Sequence, residues 1–202
     1  MKKLLIIVDM QNDFIDGALG TKEAQAIVPK VVDKIAKWDG DIISTLDTHT
    51  ENYLNTREGR MLPVSHCIEG TDGHRINQEV RNALFSKKGN HSYIATLQKR
   101  TFGSTALPEL IRDAGVEYVE LVGLCTDICV VSNAMLLKAN YPELDIAVDA
   151  SCCAGVTPET HKAALTTMQM CQIDIIGQSG RRSDSNPGTV FCPLQDGSSW
   201  LR

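Results

Sequence analysis

A three-layer α/β/α sandwich around a mainly parallel sheet is the fold predicted by this 202-residue sequence. Two observations predict it. Six short runs are apolar and rich in β-branched residues, as strands buried on both faces are: 3–8 (KLLIIV), 41–46 (DIISTL), 92–97 (SYIATL), 118–123 (YVELVG), 144–148 (LDIAV) and 173–176 (IDII). Between them lie five stretches with helical spacing, 24–38, 76–85, 105–114, 127–139 and 158–171. Strict alternation of strand and helix calls for right-handed crossovers, which lay helices over both faces of one sheet.

Taken in order, the first run follows Lys2 and at first sight suggests a signal peptide. About six apolar residues are too few for a signal core, and no small-residue cleavage site follows, so the run reads as a buried strand. Residues 24–38 supply the first crossover helix. The stretch from Thr48 to Gly73 carries no sustained apolar period, and long loops inside compact domains are usually functional or mobile. The helix over 158–171 has Thr157 placed as a cap and Pro158 at its first position. After Gly177 the sequence turns rich in Ser, Gly, Pro and charge. The expected organisation is therefore one domain over 1–177. Residues 178–202 are expected to form a disordered tail or an appended extension, with docking on a partner subunit as the other reading.

Composition narrows the function. The chain is 43% apolar and 22% charged, which suits a packed globular domain. A net charge of -5 offers no basic face for nucleic acid or an anionic membrane surface, so neither partner is expected. No stretch approaches the roughly 18 apolar residues of a membrane-spanning helix. Seven cysteines, two of them adjacent at Cys152 and Cys153, fit no disulfide framework, and reduced thiols in a cytoplasmic protein are expected.

In a doubly wound sheet, functional groups gather at the carboxyl ends of the strands. Asp9 closes the first predicted strand, Asp47 the second, Lys99 follows the third, and Cys129 lies in the turn that opens the helix after the fourth. A thiol at a helix N-terminus is expected to have a lowered pKa and to act as a nucleophile. Each residue also has an ordinary reading: Cys125 and Cys129 as small core residues, Asp9 as a turn cap, Lys99 as a solvated charge beside Arg100. Together, an acid, a cation and a thiol on one sheet edge form a nucleophilic set.

Three motifs resemble the isochorismatase-like cysteine hydrolases over residues 1 to about 177. Asp9, Gln11, Asp13 and Phe14 match D-x-Q-x-D-F; Lys99, Phe102 and Ser104 match a lysine followed by F-x-[ST]; Gly123, Thr126, Cys129 and Val130 match G-x-x-T-x-x-C-V. The resemblance implies a six-stranded Rossmann-like sheet in the order 3-2-1-4-5-6 and a catalytic set of Asp9, Lys99 and Cys129. It also implies a cis peptide between Leu124 and Cys125, with the backbone N–H groups of Cys125 and Cys129 facing an oxyanion.

Asp47 and His49 stand two apart at a strand end, and His66 can return as a third ligand, a two-histidine, one-carboxylate set that suits zinc, iron or manganese. Solvated loop histidines are the alternative. Within the resemblance, this pattern implies the nicotinamidase branch, one divalent transition metal with zinc foremost, and a small-molecule amide substrate. Glu58 stands where some members carry a further carboxylate ligand, and Phe14 is expected to be an aromatic platform for a flat ring or a core residue. Thr48 departs from the tryptophan that many nicotinamidases carry there. A carbamoyl-amide hydrolase, an isochorismatase and a silent binding protein remain competing readings, whereas DMQNDFIDG contains no G-x-G-x-x-G for a dinucleotide. A homo-oligomer is implied by the resemblance. His74, His91 and His161 carry no partner pattern and are expected to be surface or capping residues.

Overall fold

A computed structural model describes residues 1–88 and 92–178. The expected tail lies outside the described residues beyond Gln178, as does His91. Six strands form one sheet: β1 (Lys3–Val8), β2 (Asp41–Asp47), β3 (Tyr93–Lys99), β4 (Tyr118–Leu124), β5 (Asp145–Ala154) and β6 (Asp174–Ile176). Their order is β3-β2-β1-β4-β5-β6 and every pairing is parallel, as predicted. Seven α-helices accompany them: α1 (Asn12–Ile15), α2 (Lys22–Lys37), α3 (Arg57–Met61), α4 (Gln78–Lys88), α5 (Ala106–Ile111), α6 (Val131–Asn140) and α7 (Pro158–Met170).

Alternation along β1 shows why the strand is continuously apolar. Leu4, Ile6 and Val8 enter one core with Leu107, Leu137, Leu165 and Met168, whereas Leu5 and Ile7 enter the other with Val28, Val31, Ile35 and Leu84. The helices that donate these residues are α5, α6 and α7 on one face and α2 and α4 on the other, which makes three layers. Local sequence sets their ends. Thr21 accepts the Ala24 N–H at the start of α2, and Thr157 and Thr160 form a reciprocal capping box around Pro158 at the start of α7.

The differences from expectation cluster near one end of the sheet. β3 ends two residues later than predicted, so Lys99 is its last residue and pairs in register with Asp47. β5 runs ten residues, through Cys152 and Cys153, because a register irregularity lets it re-pair with the end of β4. The chain after β4 makes a π-helical turn over Thr126–Val130, and only then does α6 begin. The long stretch after β2 contains a 3₁₀ turn (Tyr53–Asn55) and α3, neither of which shows apolar periodicity in the sequence. No helix among the described residues is long and apolar enough to cross a membrane.

Candidate active site

Four neighbouring strands, β3, β2, β1 and β4, bring their carboxyl ends together. Val8 and Gly123 are register partners, so Asp9 sits beside the turn that follows β4. Gly123 is required there: its φ is +118°, and an added Cβ would collide with the Val8 carbonyl. Asp9 itself has φ +46°, a left-handed conformation uncommon for a residue with a side chain. The peptide between Leu124 and Cys125 is cis, at the bond the resemblance indicated.

Lys99 Nζ lies 2.6 Å from Asp9 Oδ2 and 3.4 Å from Cys129 Sγ. None of the three residues is more than 5% exposed, so water screens their charges weakly. The acid, cation and thiol singled out in the sequence therefore form one buried cluster. Thr45 Oγ1 donates to the other Asp9 oxygen at 2.6 Å and accepts the Asp9 N–H, which fixes the carboxylate plane. Sequence patterning gave no sign of this threonine, because its partner is 36 residues away.

Electrostatics correct one expectation. Cys129 is not a low-pKa thiol at rest: burial, and next the Asp9 charge, push it well above the usual thiol range, outweighing Lys99. A helix terminus lowers a thiol pKa only where the thiolate is not itself stripped of solvent. Burial likewise raises Asp9, while Lys99 and Thr45 pull it down. Burial would lower Lys99, but the Asp9 charge prevails and keeps it firmly protonated.

The second cluster is Asp47, His49 and His66, whose ligand atoms all lie within 4.8 Å of one another. Two details show that these residues fit a metal ion. His66 directs Nδ1 at the Val64 carbonyl at 2.8 Å, so Nδ1 donates there and Nε2, 3.5 Å from Asp47 Oδ2, is the nitrogen turned toward the cluster. His49 Nε2 lies 2.9 Å from the same oxygen, yet it is a buried nitrogen with no well-formed hydrogen bond among the described residues. A buried, orphaned nitrogen beside a carboxylate is what a ligand set looks like without its ion. Burial would raise Asp47, but the adjacent histidines and Lys99 hold it well below the usual carboxylate range. Glu58 Oε1 stands 3.6 Å from His49 Nε2, at the rim. Lys99 Nζ is 3.6 Å from Asp47 Oδ1, so the two clusters adjoin.

Tyr53 is fully buried against both imidazoles, with ring centroids 4.6 Å from His49 and 4.9 Å from His66. Phe14 packs against His66 at 5.5 Å between ring centroids and belongs to one of the two cores, in keeping with its core reading. His74 is not a surface residue: it is buried, with Nε2 2.9 Å from the Thr48 hydroxyl. His161 is half-buried and contacts the Thr126 hydroxyl through Nδ1 at 2.7 Å, beside the π-helical turn. Both partners are too distant in sequence for a spacing pattern to betray them.

Residues 3–178 match the isochorismatase domain. The chain belongs to the isochorismatase family. Among relatives of this isochorismatase-family protein, the nicotinamidase/pyrazinamidase of Mycobacterium tuberculosis is 27% identical over 187 residues, which cover 88% of this chain and all of that one. The crystal structure of the pyrazinamidase/nicotinamidase of Streptococcus mutans aligns with a TM-score of 0.75 at 29% identity, covering 87% of this chain and 100% of that chain. The pyrazinamidase of Pyrococcus horikoshii, solved in complex with zinc, aligns at 0.70 and 27% identity over 88% of this chain and 100% of that chain.

Proposed function

We propose that this isochorismatase-family protein is a hydrolase of small carboxamides, that it requires a divalent metal held by Asp47, His49 and His66, and that its substrate is nicotinamide, converted to nicotinate and ammonia. The observation that carries the reading is the buried contact of Lys99 with both Asp9 and Cys129, beside a two-histidine, one-carboxylate cluster. The names of the relatives support the substrate class.

The protein's own groups account for the chemistry. Asp9 takes the Cys129 proton as the sulfur attacks the amide carbon, and the Lys99 ammonium offsets the negative charge on the sulfur. Proton transfer coupled to attack suits a thiol that burial keeps protonated at rest. The carbonyl oxygen becomes an oxyanion facing the N–H groups of Cys125 and Cys129, where one such donor contributes about 3 to 4 kcal/mol in comparable acyl transfers. Asp9 returns its proton to the departing nitrogen; the C–N bond breaks, ammonia leaves and a thioester remains. A water molecule then gives a proton to Asp9 and attacks the thioester carbon. The C–S bond breaks, the acid is released, and the proton on Asp9 returns to the sulfur. When bound, the metal supplies a Lewis-acidic anchor for the ring nitrogen of the substrate and its waters. Phe14 offers an aromatic surface for the ring.

The test is ammonia release from nicotinamide, pyrazinamide and a panel of other small amides by the protein loaded with zinc, iron or manganese and after chelation. The reading expects nicotinamide to be turned over, loss on chelation with recovery on metal return, and no turnover by Cys129→Ala. Turnover by Cys129→Ala overturns the thioester route. Full activity in a metal-free protein, with His49→Ala harmless, points instead to a carbamoyl-amide hydrolase or isochorismatase chemistry.

A further inference from the structure

The metal-ligand positions come from two separate segments. Asp47 ends β2 and His49 follows it by two residues, whereas His66 lies further along the connection. The residues that tie these segments together lie in a third stretch, immediately after the catalytic Asp9. Gln11, fully buried, spends its whole side-chain amide on backbone: Oε1 accepts the Asp47 N–H at 2.8 Å, and Nε2 donates to the Asp47 carbonyl at 2.8 Å and the His74 carbonyl at 2.9 Å. It thus grips both backbone polar groups of one ligand residue and fastens the far loop to them.

Asp13 completes the arrangement from the other side. Its Oδ2 accepts the Cys67 N–H at 2.7 Å, next to His66. Cys67 is fully buried with φ +47°, a left-handed conformation that a residue with a side chain adopts only when its surroundings impose it. The Cys67 carbonyl in turn accepts the His49 N–H at 2.9 Å, and Glu69 N–H donates to the His49 carbonyl at 2.8 Å. One carboxylate therefore governs the backbone next to His66 and, through Cys67, the backbone of His49. Gly73 leaves room for it, because a Cβ there would collide with the Asp13 carboxylate.

We infer that Gln11 and Asp13 are positioning residues for the metal centre: two side chains outside the ligand set that hold Asp47, His49 and His66 in one geometry and so set the affinity of the site. The inference rests on the metal reading of this cluster. Ligands delivered by separate segments reach one ion only if the segments are pre-aligned, and losing such support typically costs about 10- to 100-fold in metal affinity.

The test measures Zn²⁺ affinity of the metal-free full chain by competition with a chromophoric chelator, alongside the visible spectrum of the Co²⁺-loaded protein. Gln11→Glu removes both amide donors; Asp13→Asn leaves one side-chain oxygen for the N–H groups of Cys67 and Ala18, which the carboxylate accepts separately; Gly73→Ala displaces the Asp13 carboxylate without altering any polar group. Asn12→Ala is the control, since Asn12 ties the same segments through Asp72 and not through a ligand residue. Zn²⁺ affinity is expected to fall about 10- to 100-fold in the first three variants, with an altered Co²⁺ spectrum, and to stay near wild type in the control. Gly73→Ala and Asp13→Asn, the mildest changes, are judged at a metal-free melting midpoint close to wild type. Wild-type affinity and an unchanged Co²⁺ spectrum in those two overturn the inference while leaving the metal site standing. An equal loss in Asn12→Ala overturns it as well, by showing a general effect of loop attachment. Failure of the wild-type protein to bind Zn²⁺ overturns the metal reading itself, and the inference with it.

Discussion

The Lys99 ammonium stands 3.4 Å from the Cys129 sulfur, and both groups are almost entirely removed from solvent. This contact joins an edge strand to the turn that opens α6. Burial and the neighbouring Asp9 charge raise Cys129 far enough that Lys99 does not bring it down to neutrality. Inactivation by iodoacetamide is therefore expected to be slow at pH 7 and to keep accelerating above pH 9. A rate that levels off near neutral pH would show a thiolate already formed. Lys99→Met is expected to slow the reaction further, because it removes the one cation beside the sulfur.

Thr45 makes a second case. Its hydroxyl donates to Asp9 and favours the ionised carboxylate, so Thr45→Val raises the Asp9 pKa. In the proposed mechanism an ionised Asp9 accepts the thiol proton, so the acid limb of the kcat/KM profile is expected to move to higher pH. Loss of a hydrogen bond to a charged group also lowers kcat/KM at pH 7 by on the order of tenfold or more. Thr45→Ser keeps the donor and should keep the profile. An unshifted acid limb in Thr45→Val would leave the threonine a packing role only.

Far from this site, Lys34 bridges Glu120 at 2.6 Å and Asp149 at 2.8 Å between α2 and the sheet. Asp149 is held below its ordinary range because Lys34 and Ser151 outweigh burial, so its contribution is present above its unfolded pKa and lost only as pH falls through the lowered one. Lys34 is raised for the converse reason, and its contribution is lost only as pH rises past the raised value. The wild type should thus gain and lose nothing from this network between about pH 5 and 9. Lys34→Met leaves two carboxylates facing each other and is expected to cost about 2 kcal/mol at pH 7, less than a fully buried pair because Lys34 is partly exposed. The variant should recover stability from pH 7 to pH 5, because Asp149 without Lys34 loses the cation that holds it ionised. Urea midpoints at both pH values check it; a deficit that does not shrink at pH 5 contradicts the account.

Tyr53 separates two roles in one side chain. Tyr53→Phe keeps the ring between the imidazoles and loses only the hydrogen bond to the Leu62 carbonyl, an expected cost of about 1 kcal/mol with metal affinity retained. Tyr53→Ala opens a cavity behind His49 and His66 and is expected to cost about 3 to 5 kcal/mol, with weaker metal binding as the imidazoles lose their support. Denaturant titration and Zn²⁺ competition on both variants give the comparison. Equal metal affinity in folded Tyr53→Ala would remove the supporting role.

The central strands were legible because a parallel sheet covered on both faces needs unbroken apolar runs, as β1 and β4 show; β3, at the edge, leaves Ile94 exposed and was legible from its β-branched and aromatic residues alone. Asp9, Asp47, Lys99 and Cys129 were legible for a related reason: each interrupts or follows such a run at the carboxyl end, where topology concentrates function. What escaped has two physical origins. Thr45, Tyr53 and His74 act through partners brought near by folding, whereas the turn at Tyr53–Asn55 and α3 are too short to show an apolar period and are joined by local bonds of Thr56. The misjudged thiol belongs with the first, since a helix terminus can be read from sequence and the degree of desolvation around it cannot.

The pairing of Asp47 with Lys99 across β2 and β3 has a consequence for how this chain tolerates insertions. A strand turns over with every residue it slips, so one residue added to β3 would swing the lysine to the opposite face and withdraw the same ammonium from the thiol and from the ligand carboxylate together. The proposed nucleophile and the proposed metal cluster would lose their shared cation as a unit while the other described strands stayed paired.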